Sequence, residues 1–395
     1  MAIAHSQRLR FLGLLSRLGP AGEGTGFPAR VETLLREERS AGSRDRRLYR
    51  ELLYTHRRFL PWLRDADEET LVARVASLCA DTVATRPFRE CFARPESVVG
   101  LDRRLLLPSW LEAECPAAFT EPLLGLLNQR APLWLRLQGG GRDAELFSEF
   151  EAQGWTCEPA AFPPGALRLP GERDVTRTQA FEQGLCEVQD IGSQLILTAV
   201  RPEAGTRWFD ACAGAGGKSL QLANLLGPHG RVDAHDVRPA ALQELRVRAG
   251  RAGFIEGNPA RRGAVVRVLP APDGLYDGVL VDAPCSGSGT WRRSPHLKWC
   301  TTPESVRRSA ALQSSLLSRH AAQVRPGGRL VYATCSLCRS ENEAVVEAFL
   351  SAHPGFTPVS LSLPGLLESR PGCLPILPGP YDGDAFFAAC LKRGG

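Results

Sequence analysis

Lysine is nearly missing from this chain of 395 residues: Lys218, Lys298 and Lys392 are the only three, so almost all of its positive charge is arginine. That balance reads first as the mark of a genome that encodes arginine in place of lysine. The net charge of +5 at pH 7 permits a nucleic-acid partner without requiring one. Apolar runs long enough to cross a bilayer are also missing, which excludes a membrane-spanning helix. The 12 cysteines lack the dense, regular spacing of a small secreted scaffold, so free thiols and a cytoplasmic location are expected. Met1 to Arg30 is nearly free of acids, as an organellar leader would be, but Leu12 to Leu18 reads as an ordinary amphipathic turn. Internal repeats and low-complexity tracts are absent.

The length suggests two or three domains, and a hydrophobic content of 43% is enough for a sizeable core. From Val31 to Leu63, apolar residues recur at helical spacing (Val31, Leu34, Leu35, Leu48, Leu52, Leu53, Phe59), with Ser43 as a candidate helix cap. Leu71 to Cys79 and Phe88 to Phe92 continue the pattern, and Pro108-Ser-Trp-Leu111 opens another helix. The first part of the chain, residues 1–125, therefore reads as an all-helical domain. Its Arg-rich face (Arg44, Arg46, Arg47, Arg50, Arg57, Arg58) is suited to a phosphate backbone, although a run of charge is most often a solvated face.

Residues 126–180 read as a small α+β module: a strand at Leu133–Leu137, a break at Gly139-Gly-Gly141, a helix from Asp143 and a strand at Ala166–Leu169. Residues 181–395 then alternate strand and helix, the pattern of a parallel sheet flanked by helices. A helix capped by Asp190 or Ser193 leads in. The expected strands begin at Arg207, Arg231, Val265, Gly278 and Arg329, with Pro326-Gly-Gly328 as the turn before the last, and Phe386-Phe387 begins an antiparallel closing strand.

Three of these strands end in chemically loaded loops. Asp210-Ala-Cys-Ala-Gly-Ala-Gly-Gly-Lys-Ser219 places glycines between a strand and a helix, where backbone N–H groups can approach a ligand. Asp236 ends the next strand about twenty residues on, the spacing at which a carboxylate reaches the ribose of a nucleoside cofactor, and it is better placed than Asp233. The glycine loop lacks the first glycine of a P-loop, which disfavours nucleotide triphosphate hydrolysis. Asp282-Ala-Pro-Cys285 and Ala333-Thr-Cys-Ser336 each bring a thiol to a strand end, with Lys218 as a candidate cation to activate them. Cys335 and Cys338 form a Cys-x-x-Cys, but zinc needs two further ligands and neither a second such pair nor paired histidines occur, so no metal is expected. Any one of these cysteines can also be simply a small buried residue. Two thiols and an acid beside a nucleoside cofactor suit methylation of a pyrimidine at C5: a thiolate adds at C6, an acid near N3 stabilises the charge on the ring, and a base removes the C5 proton. These considerations do not rank the two thiols.

Together the motifs resemble the Sun/Fmu family of RNA 5-methylcytosine methyltransferases, and most of all its bacterial branch that acts on small-subunit ribosomal RNA. The match lies in Val188-Gln-Asp-Ile-Gly-Ser-Gln-Leu195, Cys212-Ala-Gly-Ala-Gly-Gly-Lys218, Asp282-Ala-Pro-Cys-Ser-Gly-Ser-Gly-Thr290 with Trp291-Arg-Arg-Ser-Pro295, and Tyr332-Ala-Thr-Cys-Ser336 with Glu341-Asn-Glu343. The resemblance implies a Rossmann-like class I methyltransferase core, an N-terminal NusB-like RNA-binding domain and the α+β linker module. It implies S-adenosylmethionine as cofactor, held by Cys212, Ala213, Gly214, Ala215, Gly216, Gly217, Lys218, Asp236 and Asp282. It implies Cys335 as the nucleophile, Cys285 in adduct release, Asp282 at N3 of the base and Lys218 in the catalytic set. The expected partner is RNA, ribosomal in preference to transfer RNA, and the expected state a monomer. Three departures stand out: Ala215 where the family has Pro, Leu269-Pro-Ala-Pro272 where it has an acid facing the adenine, and His296 where it has Asp. Two rival readings remain, an RNA-binding ribosome-assembly factor with a decayed donor site, motivated by the missing acid, and a nicotinamide-dependent dehydrogenase, which leaves both thiol loops unused.

Overall fold

The computed structural model describes residues 2–19, 24–139, 141–171, 173–258 and 263–395. Contacts divide the chain into two units, one of residues 1–130 with Thr290–Thr302 and one of residues 131–289 with 303–395.

The first unit is helical, built on the amphipathic spacing of its sequence. Val31, Leu34 and Leu35 from the helix Phe27–Glu37 and Leu48, Tyr49, Leu52 and Leu53 from Ser43–Arg58 are buried in one core with Phe11, Leu14 and Phe88. Ser43 is the first residue of its helix, and Gly42 stands at the cap without a side-chain bond, so the expected serine cap does not form. The arginine face also divides. Arg44, Arg47 and Arg50 are exposed, Arg50 pairing with Glu32 at 2.7 Å, whereas Arg57 and Arg58 are buried. The cause is Thr290–Thr302, which packs on the C-terminal end of this helix. Trp299 Nε1 donates to Arg57 O at 2.6 Å, Lys298 Nζ to Arg58 O at 3.2 Å and to Asn128 Oδ1 at 2.8 Å, and Arg58 Nη2 to Arg292 O at 2.9 Å. The Trp299 and Lys298 donors satisfy carbonyls that the helix end leaves open.

In the second unit the strands are β1 (Leu133–Leu137), β2 (Glu158–Pro159), β3 (Ala166–Leu169), β4 (Cys186–Val188), β5 (Arg207–Asp210), β6 (Arg231–Ala234), β7 (Val265–Val268), β8 (Tyr276–Asp282), β9 (Val324–Thr334), β10 (Phe356–Pro358), β11 (Cys373–Ile376) and β12 (Phe386–Arg393). Among the described residues, β2, β3, β1 and β4 form a four-stranded antiparallel sheet. Gly140, in the expected break after β1, lies outside the described residues. The remaining strands form an eight-stranded sheet in the order β10-β12-β9-β8-β5-β6-β7, with β11 also on β12. Its centre is parallel, and β12 closes it antiparallel to β9.

Helices cover both faces of this sheet, so alternate residues of one strand enter two different cores. Trp208, Leu280 and Val331 face one; Phe209, Val279, Val281, Leu330 and Tyr332 face the other. The strand expected from Arg329 begins earlier: Pro326-Gly-Gly328, read as a turn, lies within β9, where the pairing with β8 shifts register between Tyr276 and Gly278. Asp190 caps its helix as expected, accepting from Gly192 N at 2.8 Å.

Gly278 pairs with Trp208, and a Cβ there would lie 2.3 Å from the indole. Gly278→Ala is expected to destabilise the second unit by about 1–3 kcal/mol, the usual cost of overpacking a core. Urea denaturation read against the wild type checks this; an unchanged midpoint would contradict the packing described.

Candidate active site

The three loops leave adjacent strand ends because β5, β8 and β9 are neighbours and parallel, with Asp210 paired to Leu280 and Asp282 to Ala333. The expectation that they converge holds in the structure. Cys285 Sγ and Cys335 Sγ are 3.4 Å apart, and Lys218 Nζ is 2.8 Å from Asp282 Oδ2.

The first loop folds tightly before the helix Gly217–Leu226. Gly214 (φ +55°) and Gly216 (φ +90°) adopt left-handed backbone, and a Cβ on Gly216 would strike Leu245 at 2.1 Å. Asp236 orders the loop from the next strand: its carboxylate accepts from Gly214 N at 2.8 Å and from the Arg238 backbone and guanidinium at 2.9 Å. The Arg238 hydrogen bonds lower its pKa to about 2, so it is ionised. Asp233 is tied to Arg207 at 2.7 Å and Arg267 at 2.8 Å, a structural role that leaves Asp236 as the acid at the loop. Ala213 N donates to His235 O and Ala215 O accepts from Arg248 Nη1, which fixes the rest of the turn. Cys212 is pushed up to about 12, by burial first and then by Asp210, Asp282 and Asp236, so it contributes packing and backbone.

Lys218 is 8% exposed and spends its charge on Asp282 while lying over the Phe386 ring. Its expected role as the cation that activates a thiol is therefore corrected: it orients a carboxylate. Among the described residues no other donor reaches Asp282, which is partly exposed. The Cys285 thiol is pushed up, by its hydrogen bond to Cys335 first and then by burial, the reverse of an activated thiolate. Cys338 turns away from the pair toward Ser288 Oγ, at 3.7 Å.

Glu341, quoted in the sequence motif without a role, proves to be the post that ties two loops together. Buried completely, it accepts from Ser286 N at 2.8 Å, Ser286 Oγ and Ser336 Oγ at 2.5 Å, and Gln313 Nε2 at 3.1 Å. Asn342 bonds Thr334 Oγ1 and Ser336 O, and Ser288 Oγ accepts from Leu337 N. Gly289 lets the second loop touch the third: Gly289 N donates to Cys335 O, and a Cβ there would meet Ala385 O at 2.1 Å. The signal in the sequence was three small hydroxyl residues beside a glutamate and an asparagine; only the fold shows which pair.

His296 stacks on Phe27 with ring centroids 5.2 Å apart, inside the helical unit. No acid follows Leu269 at the loop edge: the next one, Asp273, is bound by Arg207 and Arg267 at the other end of the sheet.

A scan of family models matches residues 197–392 to the 16S rRNA methyltransferase RsmB/F model. The chain is 34% identical over 310 residues to a probable ribosomal RNA small subunit methyltransferase B of Synechocystis sp., covering 75% of this chain and 68% of that one. A Bacillus subtilis relative of the same description is 34% identical over 64% of this chain and 57% of its own length.

The chain belongs to the RsmB/F methyltransferase family.

It is accordingly an S-adenosylmethionine-dependent methyltransferase. The crystal structure of PH0851 shares its fold over 95% of this chain and 96% of that one, with a TM-score of 0.73 at 22% identity. No helix among the described residues is long and apolar enough to cross a membrane.

The residues present fit that cofactor. The glycine loop offers open backbone at the N-terminus of a ten-residue helix, nothing would oppose a Cβ at Gly217, and the buried Asp210 keeps one carboxylate oxygen, Oδ1, without a hydrogen-bond partner among the described residues.

Asp210 also sets a pH dependence. Burial pushes its carboxyl up to about 7, against the Ser219 hydroxyl bond, which lowers it. A folded acid raised above its unfolded value near 4 binds more protons than the unfolded chain, so its contribution is full below about pH 4 and is lost as pH rises through 7. Asp210→Asn should remove this loss, on the order of a few kcal/mol, leaving the variant at least as stable as wild type at pH 8. Thermal unfolding between pH 4 and 8 checks it; equal pH slopes for both proteins would contradict it.

Proposed function

We propose that this protein methylates C5 of a cytidine in 16S ribosomal RNA through a covalent adduct between Cys335 and C6 of the base. The family and its small-subunit relatives support the RNA target, and the pairing of two thiols at 3.4 Å beside the Lys218–Asp282 pair carries the chemistry. Raised by its hydrogen bond to Cys335 and by burial, the Cys285 thiol keeps its proton. Cys335 Sγ then forms the C–S bond at C6, and the electrons of the C5–C6 double bond make C5 nucleophilic. The proton that Cys335 loses goes to N3, where the Asp282 oxygen not held by Lys218 would hold it and so neutralise the charge that builds on the ring. When bound, S-adenosylmethionine supplies an electrophilic methyl group, held by the Cys212–Lys218 loop with Asp236 toward its ribose. After methylation a solvent base takes the C5 proton, the C6–S bond breaks as the C5–C6 double bond re-forms, and Cys335 Sγ leaves with the bond electrons, recovers the N3 proton and is steadied by the hydrogen bond from the Cys285 thiol.

We read the helical first part of the chain as the RNA-binding domain, with residues 126–180 as the α+β module and residues 181–395 as the catalytic domain, and the whole as a cytoplasmic monomer. Its arginines supply the sequence-independent attraction to phosphates that any RNA enzyme needs.

With 16S ribosomal RNA and S-adenosylmethionine, Cys335→Ala is expected to give neither methylated product nor adduct. Cys285→Ala is expected to accumulate a protein–RNA species that survives a denaturing gel, with turnover reduced by about 100-fold or more. A Cys335→Ala enzyme that methylates at the normal rate would sink this assignment of the thiols.

A further inference from the structure

The helical unit contains a cleft of about 440 Å³, lined by Arg57, Leu60, Arg64, His296 and Trp299. All five lie in that unit, the first three at the end of the helix Ser43–Arg58 and just after it, the last two in Thr290–Thr302. Its walls are cationic and aromatic, and no carboxylate lines it. Arg64 is exposed and makes no ion pair among the described residues. Arg57 lies over the Phe27 ring, which holds its guanidinium in place.

The positive charge extends behind the wall. Arg58 is buried there, with the buried Glu51 acting on it and pairing with Arg130 at 3.1 Å.

Two further features give the cleft a recognition surface. Trp299 is half-buried, with its indole N–H fixed to Arg57 O, so a ring face stands ready without loss of rotamer freedom. His296 is 4% exposed, lines the cleft and stacks on Phe27, and its Nδ1 finds no hydrogen-bond partner among the described residues. Burial, with Arg57 beside it, holds His296 neutral, so it adds an aromatic wall and no charge of its own.

We propose that this cleft binds one nucleotide of single-stranded RNA, its phosphate on Arg57 and Arg64 and its base against Trp299. Fixed guanidinium groups around an aromatic ring are the elements that single-stranded nucleic acid uses. The segment that supplies Trp299 and His296 follows directly in the chain from the loop that carries Asp282 and Cys285, so the RNA contact and the chemistry share one stretch of sequence. The assignment rests on the reading of the protein as an RNA enzyme.

The test is filter binding of in vitro transcribed 16S ribosomal RNA over a series of KCl concentrations, with wild type, Arg64→Ala, Trp299→Leu and, as a control, Arg36→Ala. Arg64→Ala should bind about three- to tenfold more weakly and lower the log–log salt slope by about 0.7, the loss of one phosphate contact to a single strand. Trp299→Leu should weaken binding by about tenfold with an unchanged salt slope. Arg36→Ala should match wild type, and S-adenosylmethionine affinity by calorimetry should be the same in all four. Arg64→Ala with wild-type affinity and slope would overturn the cleft while leaving the RNA reading intact. A wild type that binds no RNA would overturn that reading, and the cleft with it.

Discussion

Backbone hydrogen bonds that pair Asp210 with Leu280 and Asp282 with Ala333 fix the register of three parallel strands, and the proposed chemistry depends on that register. A slip of one residue would turn Asp282 to the opposite face of the sheet and part the two thiols. The register is held by burial on both faces: Trp208, Leu280 and Val331 fill one core, and Phe209, Val279 and Tyr332 fill the other. Gly278 makes room for the indole of Trp208, and the antiparallel β12 closes the outer side against β9. Glu341 then does for the loops what the sheet does for the strands, fastening Ser286 and Ser336 to one buried carboxylate.

Charge is distributed with comparable economy. Asp210, Asp236 and Asp282 stand around one loop, and each is handled differently. Arg238 keeps Asp236 ionised, Lys218 pairs with Asp282, and Asp210 is buried with only Ser219 and backbone donors, so it holds its proton to near neutral pH. This separation leaves a single partly exposed carboxylate beside the thiol pair. At such a position a carboxylate can hold a proton on N3 of a bound base and so neutralise the electrons pushed into the ring.

Much of this was legible in the sequence, for physical reasons. Short apolar stretches such as Trp208-Phe209, Val265-Val266 and Val279-Leu-Val281, alternating with helical spacing, let β5 to β8 and the loops that end them be read directly. Glycines at Gly214 and Gly216 marked a turn that L side chains resist. Partnerships could not be read, since they depend on where side chains point: Lys218 serves Asp282 in place of a thiol, and Cys285 is raised by the neighbour with which it was expected to cooperate. The packing of Thr290–Thr302 among the N-terminal helices was also hidden, because a short segment that leaves one unit for another carries no change of composition. Pro326-Gly-Gly328 looked like a turn because proline and glycine disfavour strands, yet a register shift accommodates them inside β9.

The central claim is that Cys335, and not Cys285, bonds to the base. Its most direct test is peptide mapping by mass spectrometry after reaction of the enzyme, with S-adenosylmethionine, on 16S ribosomal RNA containing 5-fluorocytidine, whose C5 fluorine cannot leave as a proton and so preserves the adduct. A nucleotide on Cys335 is the predicted result. A nucleotide on Cys285, or none on either sulphur in an RNA that is methylated normally when it carries cytidine, would contradict it.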